Sequence, residues 1–381
     1  MNNKTDINPH VSGKRRPVRS RSTRSQRGFT LIELMIAMVL GLMLVLGVIN
    51  LFMANNRANK LTEGLSMLQE NARTGLEMMM RDIREAGSTP CGGAASTTTT
   101  QGIVAESILR GGQNSPDLWW ASTRNPLLVL RPGDALLSPT TLPSGATPGA
   151  IRADDPLVML VRNGDRVGVI SAHAAGVLNY NLGSTTPPTF STGDLAMACN
   201  FATASSFRVG AVVAGVSVAV AATGSGDDQN ILPDLAVSYR GGAVAALEPV
   251  VWYIGDNQRT YSISPGTWNQ RSLYRATYHA GAWASEEVVP GVERMRVRVR
   301  RQGDVNYTAI DATTVAPFAP LWDPTSGALA TAAMAAWGNV VSVEVTLDFA
   351  SENGSLVDDA GTSRPLRRSV TQVVAIRSRA Q

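Results

Sequence analysis

The residues best placed to carry a chemical role lie where a basic segment meets an apolar one, in "RSQRGFTLIELMIAMVLG", residues 24–41. Gly28, Phe29 and Glu33 occupy this junction. An ionised carboxylate costs about 2.5–3.5 kcal/mol at the centre of a membrane helix, so acidic residues in such segments usually have a function. The position of Glu33 therefore predicts a functional role for its carboxylate.

The remainder of the chain contains no pattern typical of an enzyme. Only three histidines occur, and zinc-protease, phosphate-loop, nucleophile-elbow and paired-cysteine motifs are all missing from the sequence. Asp227 and Asp228 lie together in the glycine-rich stretch 224–230, where a calcium site is conceivable. The stretch lacks the alternating oxygen ligands of a calcium loop, which favours a solvated turn. We therefore expect no enzymatic activity, no cofactor and no metal.

The apolar segment, residues 29–54, is longer than the roughly 20 residues that a membrane-spanning helix needs. Residues 1–28 hold eight Lys and Arg against one acid, whereas Arg57 and Lys60 are the first bases after the segment. Because positive charge is retained in the cytoplasm, the amino terminus should be cytoplasmic and the bulk of the chain exported. The whole sequence holds 34 Lys and Arg and 30 Asp and Glu. The part after residue 28 therefore holds 34 − 8 = 26 basic residues and 30 − 1 = 29 acidic residues. The exported part is therefore not a basic nucleic-acid-binding module.

Two cysteines, Cys91 and Cys199, both follow the apolar segment. If the exported side is oxidising, they can form a disulfide. Closing a loop of about 100 residues would stabilise the fold by up to about 4.7 kcal/mol in the chain-entropy model. The alternative is a pair of buried thiols.

A basic leader followed by Gly28, Phe29 and Glu33 resembles the type III signal of type IV pilins and pseudopilins. In that family a membrane peptidase, the prepilin peptidase, cuts after the glycine on the cytoplasmic side, methylates the new amine and leaves the apolar helix in place. The resemblance implies cleavage between Gly28 and Phe29, N-methylation of Phe29, and an assembly role for Glu33. In pilins the matching glutamate is thought to neutralise the terminal ammonium of a neighbouring subunit, which makes both charges tolerable in hydrocarbon. The alternative is a Glu33 that lies among lipid headgroups without a partner.

The stretch "LQENARTGLEMMMRDIREAGSTPCGG", residues 68–93, is similar to the corresponding region of PilW-type minor pilins, and shorter patches at 250–256, 272–278 and 292–300 are also similar. The resemblance implies a minor pilin that primes assembly of a type IV pilus, the filament of twitching motility, and sits at or near its tip. It also implies a single-pass inner-membrane protein with a periplasmic head that later enters the pilus at the cell surface. The implied partners are other minor pilins, the major pilin, the prepilin peptidase, the inner-membrane assembly platform and inner-membrane lipid, with a tip adhesin as an open option. Two alternatives remain, a J-type pseudopilin of type II secretion and a filament-displayed adhesin or ligand-binding module.

One continuous helix, Phe29 to Ala86, should contain both the membrane segment and an amphipathic continuation. Apolar residues recur at gaps of three and four, which is the spacing of one helical face: Leu61, Leu65, Leu68, Ala72, Leu76, Met79, Ile83 and Ala86. Gly87 and Pro90 provide a stop signal. Such a helix would be about 87 Å long, with residues 29–54 in the membrane or filament core and residues 55–86 against a head domain.

Residues 87–381 show short β patterns between turn signals, which predicts a head with a mainly antiparallel sheet. Predicted strands cover 126–134, 156–170, 231–242, 249–255, 271–279 and 368–379, with a pair of strands within 209–224 and loops at 135–150 and 181–194. Asn163-Gly164 has the sequence of a two-residue hairpin turn. The overall prediction is an α+β, type IV pilin-like fold.

Two late strands should be antiparallel neighbours. Arginines alternate with apolar residues in "ERMRVRVRR", residues 293–301, and Glu344 and Asp348 alternate with apolar residues in 338–349. Adjacent strands would place arginines beside these carboxylates, each pair contributing roughly 0.2–1 kcal/mol. The arginine row could instead bind DNA, but such a row on one strand is usually a solvated face, and nucleic acid is not an expected partner.

Overall fold

One long helix, α1 (Leu31–Glu85), lies at the start of the described part of the protein. It begins two residues after the predicted start, Phe29, and ends one residue before the predicted end, Ala86. The structure, a computed structural model, describes residues 28–92, 95–96, 103–109, 119–121, 125–135, 141–145, 147–181, 188–224, 229–262, 266–314, 316–318, 322–323, 328–329, 331–357 and 363–379. Except for Gly28, the predicted leader lies outside these residues. The chain divides into two units, Met1–Arg57 and Ala58–Gln381.

In the first unit, α1 exposes its apolar side chains instead of burying them. Every large apolar residue from Leu31 to Met53 is at least 45% exposed. By length and composition the helix could cross a membrane. The exposed apolar surface is what a helix surrounded by lipid or by other apolar helices would present.

In the second unit, the continuation of α1 buries one face, as its spacing predicts. The buried helical residues are Leu68, Ala72, Gly75, Leu76, Met79, Met80, Asp82 and Ile83. Leu65 remains 44% exposed, so the buried face begins later than predicted. Gly87 ends the helix with φ of +70°, and a Cβ there would come within 2.6 Å of Pro126. Only glycine suits both the left-handed backbone and this close approach.

The larger sheet of the second unit has twelve strands in a mainly antiparallel arrangement, with the order β1-β2-β8-β9-β6-β5-β10-β11-β12. Three further strands pair outside this order: β3 pairs with β5, β4 pairs with β10, and β7 pairs with both β8 and β10. Their bounds are β1 (Ala95–Ser96), β2 (Ile103–Ser107), β3 (Leu127–Leu130), β4 (Ala150–Ile151), β5 (Leu157–Ala174), β6 (Val177–Asn181), β7 (Leu195–Cys199), β8 (Thr203–Val213), β9 (Ser217–Val220), β10 (Ala243–Ser262), β11 (Thr267–His279) and β12 (Ala282–Pro290).

A smaller sheet of four strands follows in the order β14-β13-β17-β18. Its strands are β13 (Val292–Arg301), β14 (Thr308–Ile310), β17 (Val340–Val357) and β18 (Ser363–Ala375). The described chain also contains a two-stranded pair, a short helix and two 3-10 turns: β15 (Trp322–Asp323), β16 (Ala328–Leu329), α2 (Thr331–Gly338), Trp119–Ala121 and Arg377–Arg379. The helix and the mainly antiparallel sheets make the fold α+β, as the sequence predicts.

The predicted neighbours β13 and β17 are antiparallel in the structure. An Arg296 nitrogen lies 2.8 Å from Asp348 Oδ1, and an Arg298 nitrogen lies 2.9 Å from Glu344 Oε1. The paired strands predicted within 209–224 also form, as the end of β8 and β9. Both predictions are confirmed. The pairing of β13 with β17 could be predicted because strict alternation specifies which face of a strand is buried.

The hairpin turn predicted at Asn163-Gly164 is wrong. Strand β5 runs through both residues, and its register against β10 shifts between Ala245 and Leu247. A Cβ on Gly164 would lie 3.0 Å from a Glu248 oxygen, so the glycine allows a close approach at a bulge. Pairing with a distant strand has overridden a local turn signal.

The strand predicted over 231–242 is also wrong, since these residues form bends and turns before β10 begins at Ala243. Pro233 cannot donate a ladder hydrogen bond. A Cβ on Gly242 would clash with the backbone carbonyl of Cys199. The Gly242 N–H donates to the Tyr239 carbonyl at 2.9 Å, which closes a turn immediately before β10. The last predicted strand, 368–379, ends at Ala375 and continues as a 3-10 turn.

Candidate functional site: the amino-terminal motif and the helix clamp

Gly28 and Phe29 immediately precede α1 and have little contact with the described chain. Phe29 is 89% exposed, and a Cβ built on Gly28 would meet no atom within 4 Å. Gly28 is also not among the positive-φ glycines. The fold of the described residues therefore does not require glycine at position 28.

Thr30 and Glu33 form a capping box at the start of α1. The Thr30 backbone N–H and hydroxyl donate to Glu33 Oε2 at 3.1 and 3.0 Å, and the Glu33 N–H lies 3.3 Å from Thr30 Oγ1. This reciprocal pattern satisfies backbone donors that a helix start otherwise leaves free. The Thr-x-x-Glu spacing is a recognised sequence signal of this box, although it was not predicted above.

The capping box places the Glu33 carboxylate over the first turn of an exposed apolar helix. Both contacts from Thr30 use the same oxygen, Oε2, and no residue in the described ranges hydrogen-bonds to Oε1. A carboxylate accepts through both oxygens. The geometry therefore leaves one oxygen of Glu33 available to a cationic group while the other holds the helix start.

Cys91 and Cys199 form a disulfide with an S–S distance of 2.08 Å and a Cα–Cα distance of 6.0 Å. Cys91 lies in the turn after α1, and Cys199 is the last residue of β7. The bond therefore ties the end of the helix to the larger sheet.

A buried polar link between helix and sheet centres on Asp82, which is 4% exposed. Its Oδ2 accepts hydrogen bonds from Trp252 Nε1 at 3.0 Å and Arg275 Nε at 2.9 Å, and its Oδ1 lies 3.2 Å from Arg162 Nε. We call Asp82, Arg162, Trp252 and Arg275 the helix clamp. Sequence reasoning missed it, because Asp82 beside the apolar Met79 and Ile83 positions is indistinguishable from a surface residue.

Arg162 gathers further carboxylates around the helix clamp. Its guanidinium nitrogens lie 2.8 Å from Glu85, 3.3 Å from Asp165 and 2.7 Å from Glu248. Burial by itself would lower the pKa of Arg162, but the surrounding carboxylates, Glu248 and Asp82 foremost, raise it above its ordinary value. Arg162 is thus permanently charged and fixes the orientation of the acids around it.

The two histidines of the described part each contact a carboxylate, and the remaining candidate residues lie outside that part. His173 Nε2 is 2.9 Å from Asp234, and His279 Nδ1 is 2.9 Å from Asp194. Within the described ranges, no group of three or more His, Cys, Asp and Glu side chains is arranged to hold a metal ion. The conceivable calcium ligands at 227 and 228 lie outside the described residues.

Comparison with known proteins gives one finding. The family model described as the prokaryotic N-terminal methylation motif matches residues 23–49, which include Gly28, Phe29 and Glu33. No curated protein and no solved structure matches the chain. Together with the exposed apolar helix and the disulfide, the methylation motif supports a type IV pilin-like or pseudopilin-like protein.

Proposed function

We propose that this protein is a minor pilin of the PilW type, a structural subunit that primes assembly of a type IV pilus and lies at or near its tip. The observation that carries the proposal is the Glu33 carboxylate, held on the first turn of an exposed apolar helix within a methylation motif. No enzymatic activity is part of this proposal.

The chemistry begins with removal of the leader by the prepilin peptidase. Cleavage after Gly28 creates an amine on Phe29, which is then methylated and remains cationic. This ammonium and the Glu33 carboxylate both lie at the edge of hydrocarbon, where unpaired charges are costly. Docking of a neighbouring subunit pairs one subunit's ammonium with the other's carboxylate. The free Oε1 is the oxygen suited to this contact.

The second unit would transmit assembly forces between helix and head. The helix clamp and the disulfide fix the amphipathic end of α1 to the larger sheet at two separate places. The head would face the periplasm in the inner-membrane form and the cell surface in the pilus. The proposed partners are other minor pilins, the major pilin and the inner-membrane assembly platform, with the head also available to a tip adhesin.

Substitutions at Glu33 test the proposal because alanine and glutamine separate charge from helix capping. Glu33→Ala removes both, whereas Glu33→Gln keeps an oxygen that can accept from Thr30. Cleavage and membrane insertion should be normal in both variants, since neither requires this carboxylate. Crosslinking to other minor pilins should weaken in both, and surface pili should decrease.

The matched control is Thr30→Ala, which weakens the capping box but retains the Glu33 charge. It should assemble much better than either Glu33 variant. Wild-type piliation and crosslinking with Glu33→Gln would show that the residue only caps the helix. If deleting the protein stops protein secretion but leaves pili intact, the type II secretion alternative is correct instead.

A further inference from the structure

A cavity of about 330 Å³ lies where the end of α1 meets β5 and the 3-10 turn Arg377–Arg379. All of its lining residues belong to the second unit. Hydrogen bonds join the three elements around it: the Ser378 hydroxyl donates to the Ala86 carbonyl at 2.7 Å, and the Asn163 side-chain N–H donates to the Ser88 carbonyl. Small-molecule sites in proteins begin at about 300 Å³, so this cavity suits a small ligand.

Two carboxylates line the cavity, Glu85 at the end of α1 and Asp165 on β5. Arginines already contact both oxygens of Glu85, at 3.4 and 2.8 Å. The contacts of Asp165 with Arg81 and Arg162 both use Oδ1, and no residue in the described ranges hydrogen-bonds to its Oδ2. A carboxylate accepts through both oxygens. Since Asp165 is exposed, its Oδ2 is available to a donor in the cavity.

The ion-pair network that includes these carboxylates has a surplus of negative charge. In the described ranges it joins five carboxylates to three guanidiniums: Asp82, Glu85, Asp165, Glu248 and Glu286 with Arg81, Arg162 and Arg275. A further negative partial charge lies at the base of the cavity, where Asn163 is 8% exposed and its Oδ1 has no hydrogen-bond partner. These charges favour a cationic group in the cavity.

The cavity also contains a positive group. Arg377 is exposed and lines the cavity from the 3-10 turn, and no carboxylate in the described ranges lies within ion-pair distance of it. It therefore does not neutralise Asp165. A guanidinium with free N–H groups binds a carboxylate strongly, often through two parallel hydrogen bonds. The same cavity thus presents an acceptor for a cation and, at a separate position, donors for an anion.

Apolar side chains form another part of the lining. Pro90 follows the end of α1, and Val167 on β5 is 36% exposed. Apolar surface of this kind is stabilised when hydrocarbon covers it. A ligand that joins its two charged groups through hydrocarbon therefore matches the lining as well as the charges.

We propose that this cavity binds a small organic zwitterion in which a short hydrocarbon stem joins an ammonium group to a carboxylate. The ammonium contacts Asp165 Oδ2, the carboxylate contacts the Arg377 guanidinium, and the stem lies against Pro90 and Val167. A ligand with a single charge pairs with one of the two groups and leaves the other without a partner. This site goes beyond the proposed filament role and does not rest on it.

Ligand-observed NMR titration of the full-length protein in detergent micelles tests the proposal. The probes are glycine, β-alanine and γ-aminobutyrate, in which the distance between ammonium and carboxylate increases along the series. At least one of them should bind. Its carboxamide, which lacks the negative charge, and its N-acetyl derivative, which lacks the positive charge, should each bind about fivefold or more weakly.

Variants assign each charge to its residue. Arg377→Gln should weaken binding of the zwitterion about fivefold and leave binding of the carboxamide unchanged, because the carboxamide has no charge to pair there. Asp165→Asn should likewise weaken the zwitterion but not the N-acetyl derivative. The matched control is Arg166→Gln, which removes a charge beside Asp165 from an exposed residue outside the lining. This control should bind as the wild type does.

A reversal of charge separates the proposed contact from a general loss of fold. Arg377→Glu should make the diamine putrescine, which has an ammonium at each end, bind better than γ-aminobutyrate. Misfolding cannot produce such a gain. Three results would overturn the proposal: no binding of any zwitterion up to tens of millimolar, equal binding of the zwitterion and its carboxamide, or unchanged binding by Arg377→Gln.

Discussion

Replacing the buried carboxylate of the helix clamp, Asp82→Ala, should strongly destabilise the second unit. Asp82 is 4% exposed and accepts from Trp252 and Arg275 while contacting Arg162. Alanine would leave the Trp252 indole N–H buried without its acceptor. Among the described residues, the one carboxylate left within ion-pair distance of Arg275 would be Glu286, at 3.6 Å, and the guanidinium would still lie over the Trp252 ring.

The size of the effect follows from what remains after the substitution. Breaking a buried ion pair by removing one partner costs about 3–5 kcal/mol, and a buried unsatisfied donor costs about 1–3 kcal/mol. Arg162 retains three other carboxylates and loses little. We therefore expect the lower end of the range, a decrease of about 3 kcal/mol in the free energy of unfolding.

Urea unfolding of the mature protein in detergent micelles, followed by tryptophan fluorescence with the disulfide intact, measures this change. The matched control on the same helix is Glu77→Ala, whose partner Arg73 lies 2.8 Å away in an exposed pair. That substitution should cost no more than about 0.5 kcal/mol. If Asp82→Ala costs less than about 1 kcal/mol, the clamp does not hold the helix to the sheet, and our reasoning about it is wrong.

Three further predictions address processing, covalent structure and pH dependence. Intact-mass analysis should find the exported protein beginning at N-methylated Phe29, and Gly28→Val should block cleavage because only a tiny side chain suits the peptidase; an intact leader on assembled protein would contradict this. Mass analysis without reductant should find Cys91 and Cys199 bonded, and replacing both with serine should cost about 2–5 kcal/mol; two alkylatable thiols would contradict the bond. Burial raises the pKa of Asp155 despite its hydrogen bond from a backbone N–H. The folded state then binds this proton more tightly than the unfolded state, so stability falls as pH rises from about 4 through the raised pKa. Asp155→Asn should remove that loss. The unfolding free energy of the variant minus that of the wild type should therefore increase between about pH 4 and pH 7. If this difference is the same at both pH values, the pKa of Asp155 is not raised.

The sequence by itself determined the features that depend on neighbouring residues along the chain. The junction of a basic leader with Gly28, Phe29 and Glu33 is a contiguous signal, and its residues need no tertiary contact to be recognised. The limits of α1 follow from local periodicity and the glycine at its end. The pairing of β13 with β17 follows from strict alternation, which determines the buried face of each strand.

Only the tertiary structure decided which polar residues became structural. Asp82 is a buried acceptor because Trp252 and Arg275 reach it from 170 and 193 positions away. Asn163-Gly164 lies within a strand because β10 pairs across it. Residues 231–242 form bends and turns, and the last turn is closed by the Gly242 N–H, which donates to the Tyr239 carbonyl beside β7. Local patterns cannot specify contacts between residues this far apart, since each depends on the packing of the whole sheet.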